Sequence, residues 1–152
     1  MRLVPIPDLD GAPTRWVSAE HVVSVQPQYL AGAQGTILVG DVKVDGMPLL
    51  RVQLGEHFEK VEAEAAFLRF LAGIDVRLIP LSDRNGAPAT WVNPEHLVSV
   101  EPVYFGGTTG VNVAAEVKVN GMPLQRVALG SDLTRADAEG VFRRFLSVLE
   151  GE

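Results

Sequence analysis

The chain has 152 residues, 47 % of them hydrophobic and 21 % charged, and its 19 acidic against 13 basic side chains give a formal net charge of −6. That balance of apolar and charged residues excludes a disordered chain. Cysteine is absent, which excludes disulfides, thiolate zinc centres, cysteine nucleophiles and iron–sulfur ligation. No apolar run reaches the roughly 20 residues needed to span a bilayer. Met1-Arg2-Leu3-Val4-Pro5 lacks the apolar stretch of a secretory signal, so the expected location is cytoplasmic, with no membrane partner.

Residues 2–6 read as a short strand of branched side chains. Residues 8–13 read as a turn, punctuated by Asp10-Gly11 and Ala12-Pro13. Residues 14–17 form a second short strand carrying Trp16. Ser18-Ala19-Glu20-His21 follows, matched later by Asn93-Pro94-Glu95-His96, where Asn then Pro is the pattern of a helix N-cap and first helical position. A single helical turn is expected there. Residues 21–26 read as strand, ended by Pro27, and residues 29–35, with two glycines, as a flexible loop. Residues 36–44 give the longest strand. Asp45-Gly46 and its counterpart Asn120-Gly121 predict a type I′ hairpin turn, with positive φ at both central residues. The return strand is expected over 47–54, with Pro48 at an edge or beyond the pairing and Gly55 closing it.

A helix closes the unit. Ala66, Phe67, Phe70, Leu71 and Ile74 fall on one helical stripe, as do Val141, Phe142, Phe145, Leu146 and Leu149. Thr134-Arg135-Ala136-Asp137 resembles a capping box, with Asp in place of Glu. Gly73 is placed to stop the first helix.

Shifted by 75 positions, the chain aligns on itself without a gap, and about 35 of the 75 pairs are identical. Residues 20–25 fall on 95–100 and residues 42–49 on 117–124. This reads as a tandem duplication, with residues 1–75 and 76–152 as the two repeats. Their formal charges are −4 and −2, so neither half is a basic arm or an acidic tail. Each repeat is expected to hold four or five antiparallel strands followed by one helix, an α+β fold. The short link between repeats and the marginal core of a 75-residue unit predict an intramolecular pseudo-dimer.

The polar residues that recur argue mainly for structure. Glu20-His21 and Glu95-His96 would serve a metal or acid–base chemistry only if the four side chains converged on one pocket. Neighbours at a strand mouth tend to point apart, and His57 has no counterpart because Asp132 takes its place. Ser24 and Ser99 lie within strands rather than on a nucleophile turn. Phe105-Gly106-Gly107-Thr108-Thr109-Gly110 matches no phosphate-cradling motif. No catalytic, cofactor or metal site is therefore expected. Trp16 and Trp91 are expected in the core. The candidate binding surface is Tyr29 and Tyr104 beside the glycine loops, with Lys43, Lys118, Arg51 and Arg126 on the hairpin strands.

Asn85-Gly86, Trp91-Val92, Asn93-Pro94-Glu95-His96-Leu97-Val98 and Val100-Glu101, followed by two strands and a helix, resemble the small bacterial flagellar proteins of the FlbD/SwrD type over about half of each repeat. That resemblance implies a non-enzymatic accessory protein with no catalytic residues to carry over. The doubled strand-rich unit plus helix is also similar in architecture to the PUR-repeat and Whirly families, which implies single-stranded nucleic-acid binding on a basic groove with stacking aromatics. The net negative charge argues against that alternative. The functional expectation is a non-enzymatic protein-binding or scaffold protein with two equivalent faces, a protein partner, and self-association left open.

Overall fold

The computed structural model describes residues 2–6, 15–74, 76–81 and 90–151. The turn expected over 8–13 and the Asn85-Gly86 turn lie outside the described residues. The elements are β1 (Leu3–Ile6), β2 (Arg15–Ser18), β3 (Val22–Gly32), β4 (Gly35–Val44), β5 (Leu50–Phe58), α1 (Lys60–Ile74), β6 (Ile79–Leu81), β7 (Thr90–Val92), β8 (Leu97–Gly106), β9 (Val111–Val119), β10 (Gln125–Leu133) and α2 (Arg135–Glu150). A single 3-10 turn precedes β3 and another precedes β8, at Ala19–His21 and Pro94–His96. Five strands and a helix thus occur twice in the same order. The class is α+β, with mostly antiparallel sheets: the β1-β2, β3-β4, β3-β7, β4-β5, β8-β9 and β9-β10 pairs are all antiparallel.

The strands build three sheets. One has the order β5-β4-β3-β7-β6, a second is the hairpin β1-β2, and the third is β10-β9-β8. Two compact units result, and their boundary departs from the one expected at residue 75. One unit holds the described residues up to Pro80 together with residues 90–93; the other holds those from Pro94 onward, with Leu81. The departure has a clear cause. Strand β7 pairs with β3, Val92 opposite Ser24 and Trp91 opposite Val25. A strand from the second half of the chain thereby completes the sheet of the first.

The core of the first unit gathers Val22, Val25, Leu38, Val42 and Val52 from the sheet, Val4, Ile6 and Val17 from the β1-β2 hairpin, and Ala63, Phe67, Leu71 and Ile74 from α1. The helical stripe read from the sequence is the buried one. Each large side chain of this kind contributes roughly 1.5–3 kcal/mol by leaving water. In the second unit Val113, Ala115, Val117, Val119 and Val127 are buried from the sheet and Ala138, Phe142 and Leu149 from α2. Thr134 caps α2 by accepting the Asp137 amide at 3.1 Å, and Gly151 ends it at φ 94 in the left-handed region. The Glu62 carboxylate accepts the Glu59 amide at 3.2 Å at the start of α1. Gly73 does not stop α1, which runs on through Ile74.

The structure corrects three further expectations. Strand β3 passes through Pro27 and Tyr29 to Gly32, with Pro27 opposite Gly40, so residues 29–35 are mostly strand and not a loop. The ladder to β7 covers only Ser24 and Val25, so the N–H that Pro27 lacks breaks no bond on that side. The residue 45–49 turn is not type I′. Among described residues only Asp132 has positive φ without being glycine, so Asp45 and Asn120 are in ordinary backbone while Gly46 (φ 80) and Gly121 (φ 76) are left-handed. With Met47 N–H donating to the Val44 carbonyl at 3.1 Å, this is the pattern of a type II turn. Finally, β5 does not close at Gly55 but bulges there and continues to Phe58. A Cβ at Gly55 would collide with the Phe58 ring, so a side chain there would force that ring to move.

Candidate functional site

The six residues expected to form a contact surface are each engaged within their own unit. Tyr29 and Tyr104 lie half-buried under cations from the first residue of the following helix: Lys60 Nζ is 5.2 Å from the Tyr29 ring and the Arg135 guanidinium 4.2 Å from the Tyr104 ring. These contacts pin the start of each helix to a strand. Burial, helped by the negative charge of Glu64, raises the Tyr29 phenol above its ordinary 10.0. Lys43 Nζ donates to the Met47 carbonyl at 2.8 Å, and Lys118 Nζ donates to that of Met122, so both lysines clasp the hairpin turns. Arg51 Nε donates to Asp41 at 2.9 Å, and Gln28 Nε2 donates to the same carboxylate at 3.0 Å. The hydrogen bond to Asp41 holds the Arg51 guanidinium more firmly protonated than usual. Arg126 pairs with Glu116 at 2.7 Å. Each of the four cations is thus met by an acceptor on its own sheet or turn.

The Glu-His pairs sit on the two 3-10 turns, and their backbone ties each turn to the following hairpin. The His21 carbonyl accepts the Asp45 amide at 2.8 Å and the His96 carbonyl accepts the Asn120 amide at 3.0 Å. Among the described residues, no three His, Asp or Glu side chains come together to hold a metal ion. A groove of about 450 Å³ lies on the three-stranded sheet, lined by Phe105, Asn112, Ala114, Arg126, Leu129 and Ser131. Arg126 is already paired there, and the remaining lining brings no nucleophile and base together.

The distinctive feature lies at the sheet edges. In β3 the register jumps from Val22 to Ser24, and in β8 from Leu97 to Ser99, so Val23 and Val98 are bulged residues at equivalent positions. Around Val23 the edge is occupied. The Asn93 amide donates to the Val23 carbonyl at 2.8 Å, the Asn93 side chain donates to the Val22 carbonyl at 2.9 Å, and Val23 is 0 % exposed. Around Val98 no described strand docks on the edge. Among the described residues β8 pairs only with β9, and Val98 is 64 % exposed. The tryptophans divide in the same way. Trp91, on the strand docked at β3, packs against the core, whereas Trp16, on β2, is 60 % exposed and not in the core as expected.

Sequence reasoning missed Val98. One signal was present: Val22-Val23 and Leu97-Val98 break the apolar–polar alternation of a half-buried strand, as a bulge covered on both faces would. That signal is identical in both halves, so it could not say which edge is filled. Comparison with protein-family models, curated proteins and solved structures gave no match.

Proposed function

We propose that this chain is a non-enzymatic protein-binding or scaffold protein that recruits an extended strand of a protein partner along the edge of β8. The reading takes residues 1–75 and 76–152 as a duplicated unit, so that the two strand edges are versions of one binding device. One observation carries it: the bulge valine that is covered at β3 by a docked strand stands 64 % exposed at β8. Strand addition supplies affinity through main-chain hydrogen bonds and selectivity through the alternate side chains. A large apolar side chain on an unpaired edge invites pairing, and the charge and proline that guard such edges, here Glu101 and Pro102, lie just beyond the stretch of β8 equivalent to the β3-β7 ladder. The likeness to flagellar proteins of the FlbD/SwrD type agrees with a role that needs no chemistry. The nucleic-acid alternative has less support, because Lys43, Arg51, Lys118 and Arg126 are already engaged.

The test is affinity capture with three full-length baits: wild type, Val98→Lys, and Val61→Lys. Val61 is exposed and lies on helix α1 rather than on a strand edge. A stoichiometric protein retained by wild type and Val61→Lys but lost with Val98→Lys supports the reading. Identical capture profiles for all three baits overturn it.

A further inference from the structure

The sheet around β3 has five strands, β5-β4-β3-β7-β6, while the chain also contains a three-stranded sheet, β10-β9-β8, and a two-stranded hairpin, β1-β2. The latter two are the same parts at a 75-residue offset: β8 to β10 answer to β3 to β5, and β1-β2 answers to β6-β7. β8 has one unpaired edge and β2 has one unpaired edge among the described residues. We infer that β2 of a second copy of this chain docks on β8, completing a five-stranded sheet β10-β9-β8-β2-β1 across two molecules. The inference rests on the strand-recruiting reading above and names its partner.

The internal docking fixes the register. Ser24 faces Val92 and Val25 faces Trp91, antiparallel. Carried over by 75 positions, Ser99 of one copy faces Val17 of the other, and Val100 faces Trp16. This covers two of the large apolar side chains that the single chain leaves exposed, Val98 and Trp16. One step further along the same register, Gln26 lies level with Thr90, an uncharged pair. The equivalent positions between copies are Glu101 and Arg15, both exposed and of opposite charge. Directly opposed unlike charges stabilise a cross-strand pair and like charges destabilise it. The charges therefore stand where two copies would meet and are missing from the internal version of the same contact.

One difference makes the contact between copies the weaker of the two. The position of Asn93, whose side chain bonds the Val22 carbonyl, is taken in β2 by Ser18, whose side chain is shorter. The assembly should be reversible and depend on concentration. Each copy carries both a donor strand and an acceptor edge, so the contact is head-to-tail and propagates into rings or short filaments.

The experiment measures the mass of the full-length chain by light scattering over a range of concentrations, for wild type, Val98→Lys, Arg15→Glu, Glu101→Arg, and a one-to-one mixture of the last two. The substituted positions are exposed, and far-UV circular dichroism checks that each variant is folded. Expected is a wild-type mass that rises above the 16.4 kDa of one chain with concentration. The three single variants should stay at one chain, because like charges or a lysine then stand at the edge. The mixture should regain the wild-type behaviour, because each chain now meets its opposite charge. A wild type that stays at one chain at every concentration overturns the inference, as does a mixture that fails to associate when wild type does. The strand-recruiting reading is judged separately: capture of a different protein that depends on Val98 leaves it standing while the second copy is excluded as its partner.

Discussion

Glycines with room to spare offer a sharp test of the backbone geometry. A Cβ added at Gly46, Gly73 or Gly140 would meet no atom within 4 Å, so sterics against neighbours decide nothing at these positions. The backbone does. Gly46 has φ 80, in the left-handed region, where a Cβ costs roughly 1–2 kcal/mol. Gly140 lies inside α2, where replacing glycine by alanine is worth roughly 0.8–1.0 kcal/mol of helix stability. The same substitution should therefore have opposite signs. For a chain of this size each kcal/mol moves the melting temperature by roughly 2–4 °C, so Gly46→Ala should lower it by about 2–8 °C and Gly140→Ala raise it by about 2–4 °C. Gly73→Ala should gain less, because Gly73 is the penultimate residue of α1 and helix ends fray. Thermal melts followed by tryptophan fluorescence report on the first unit, which holds both tryptophans, and far-UV circular dichroism reports on α2. Shifts of the same sign for Gly46→Ala and Gly140→Ala would refute the reasoning.

Three other expectations concern packing and protonation. Asn93→Ala removes the buried donor to the Val22 carbonyl and should cost about 1–3 kcal/mol in urea unfolding, while Ser18→Ala, which loses no side-chain cap bond, should stay within about 0.5 kcal/mol at dilution. Phe67→Ala opens the core beneath α1 and should cost about 3–5 kcal/mol, whereas Leu68→Ala, on the exposed side of the same helix, should change stability by no more than about 0.5 kcal/mol. The Tyr29 phenol, raised above its ordinary 10.0 by burial and by Glu64, holds its proton more tightly folded than unfolded. Its contribution is complete below the unfolded value and is lost as pH rises through the folded one. An alkaline unfolding series should show this decline for wild type and a smaller one for Tyr29→Phe.

Local chemistry is legible wherever neighbours along the chain carry the structure. The α+β class, the helical stripes through Phe67 and Phe142, the Thr134 cap and the single turns before β3 and β8 follow from periodicity and capping, which act over a few residues. Asp45-Gly46 reads as type I′ from the sequence, but Asp-Gly serves two turn types. The choice between them falls to the connection from β4 to β5, which Lys43 and the His21 carbonyl tie down from outside. Pro27 reads as a strand end for a similar reason: proline stops a strand only where its missing N–H would have been used, and that depends on how far β7 reaches.

The composition by itself determined that the chain folds without disulfides or thiolate metal centres, and apolar periodicity with turn and capping residues determined where its helices and most of its strands lie. Only the tertiary structure decided that β7 crosses to the sheet of β3, leaving Val23 covered and Val98 bare. The two valines sit in nearly identical segments, Glu20-His21-Val22-Val23-Ser24-Val25 and Glu95-His96-Leu97-Val98-Ser99-Val100. Local sequence cannot tell them apart, because what separates them is a pairing between residues far apart along the chain, and such a pairing is settled by which edge a strand can reach once the rest has packed.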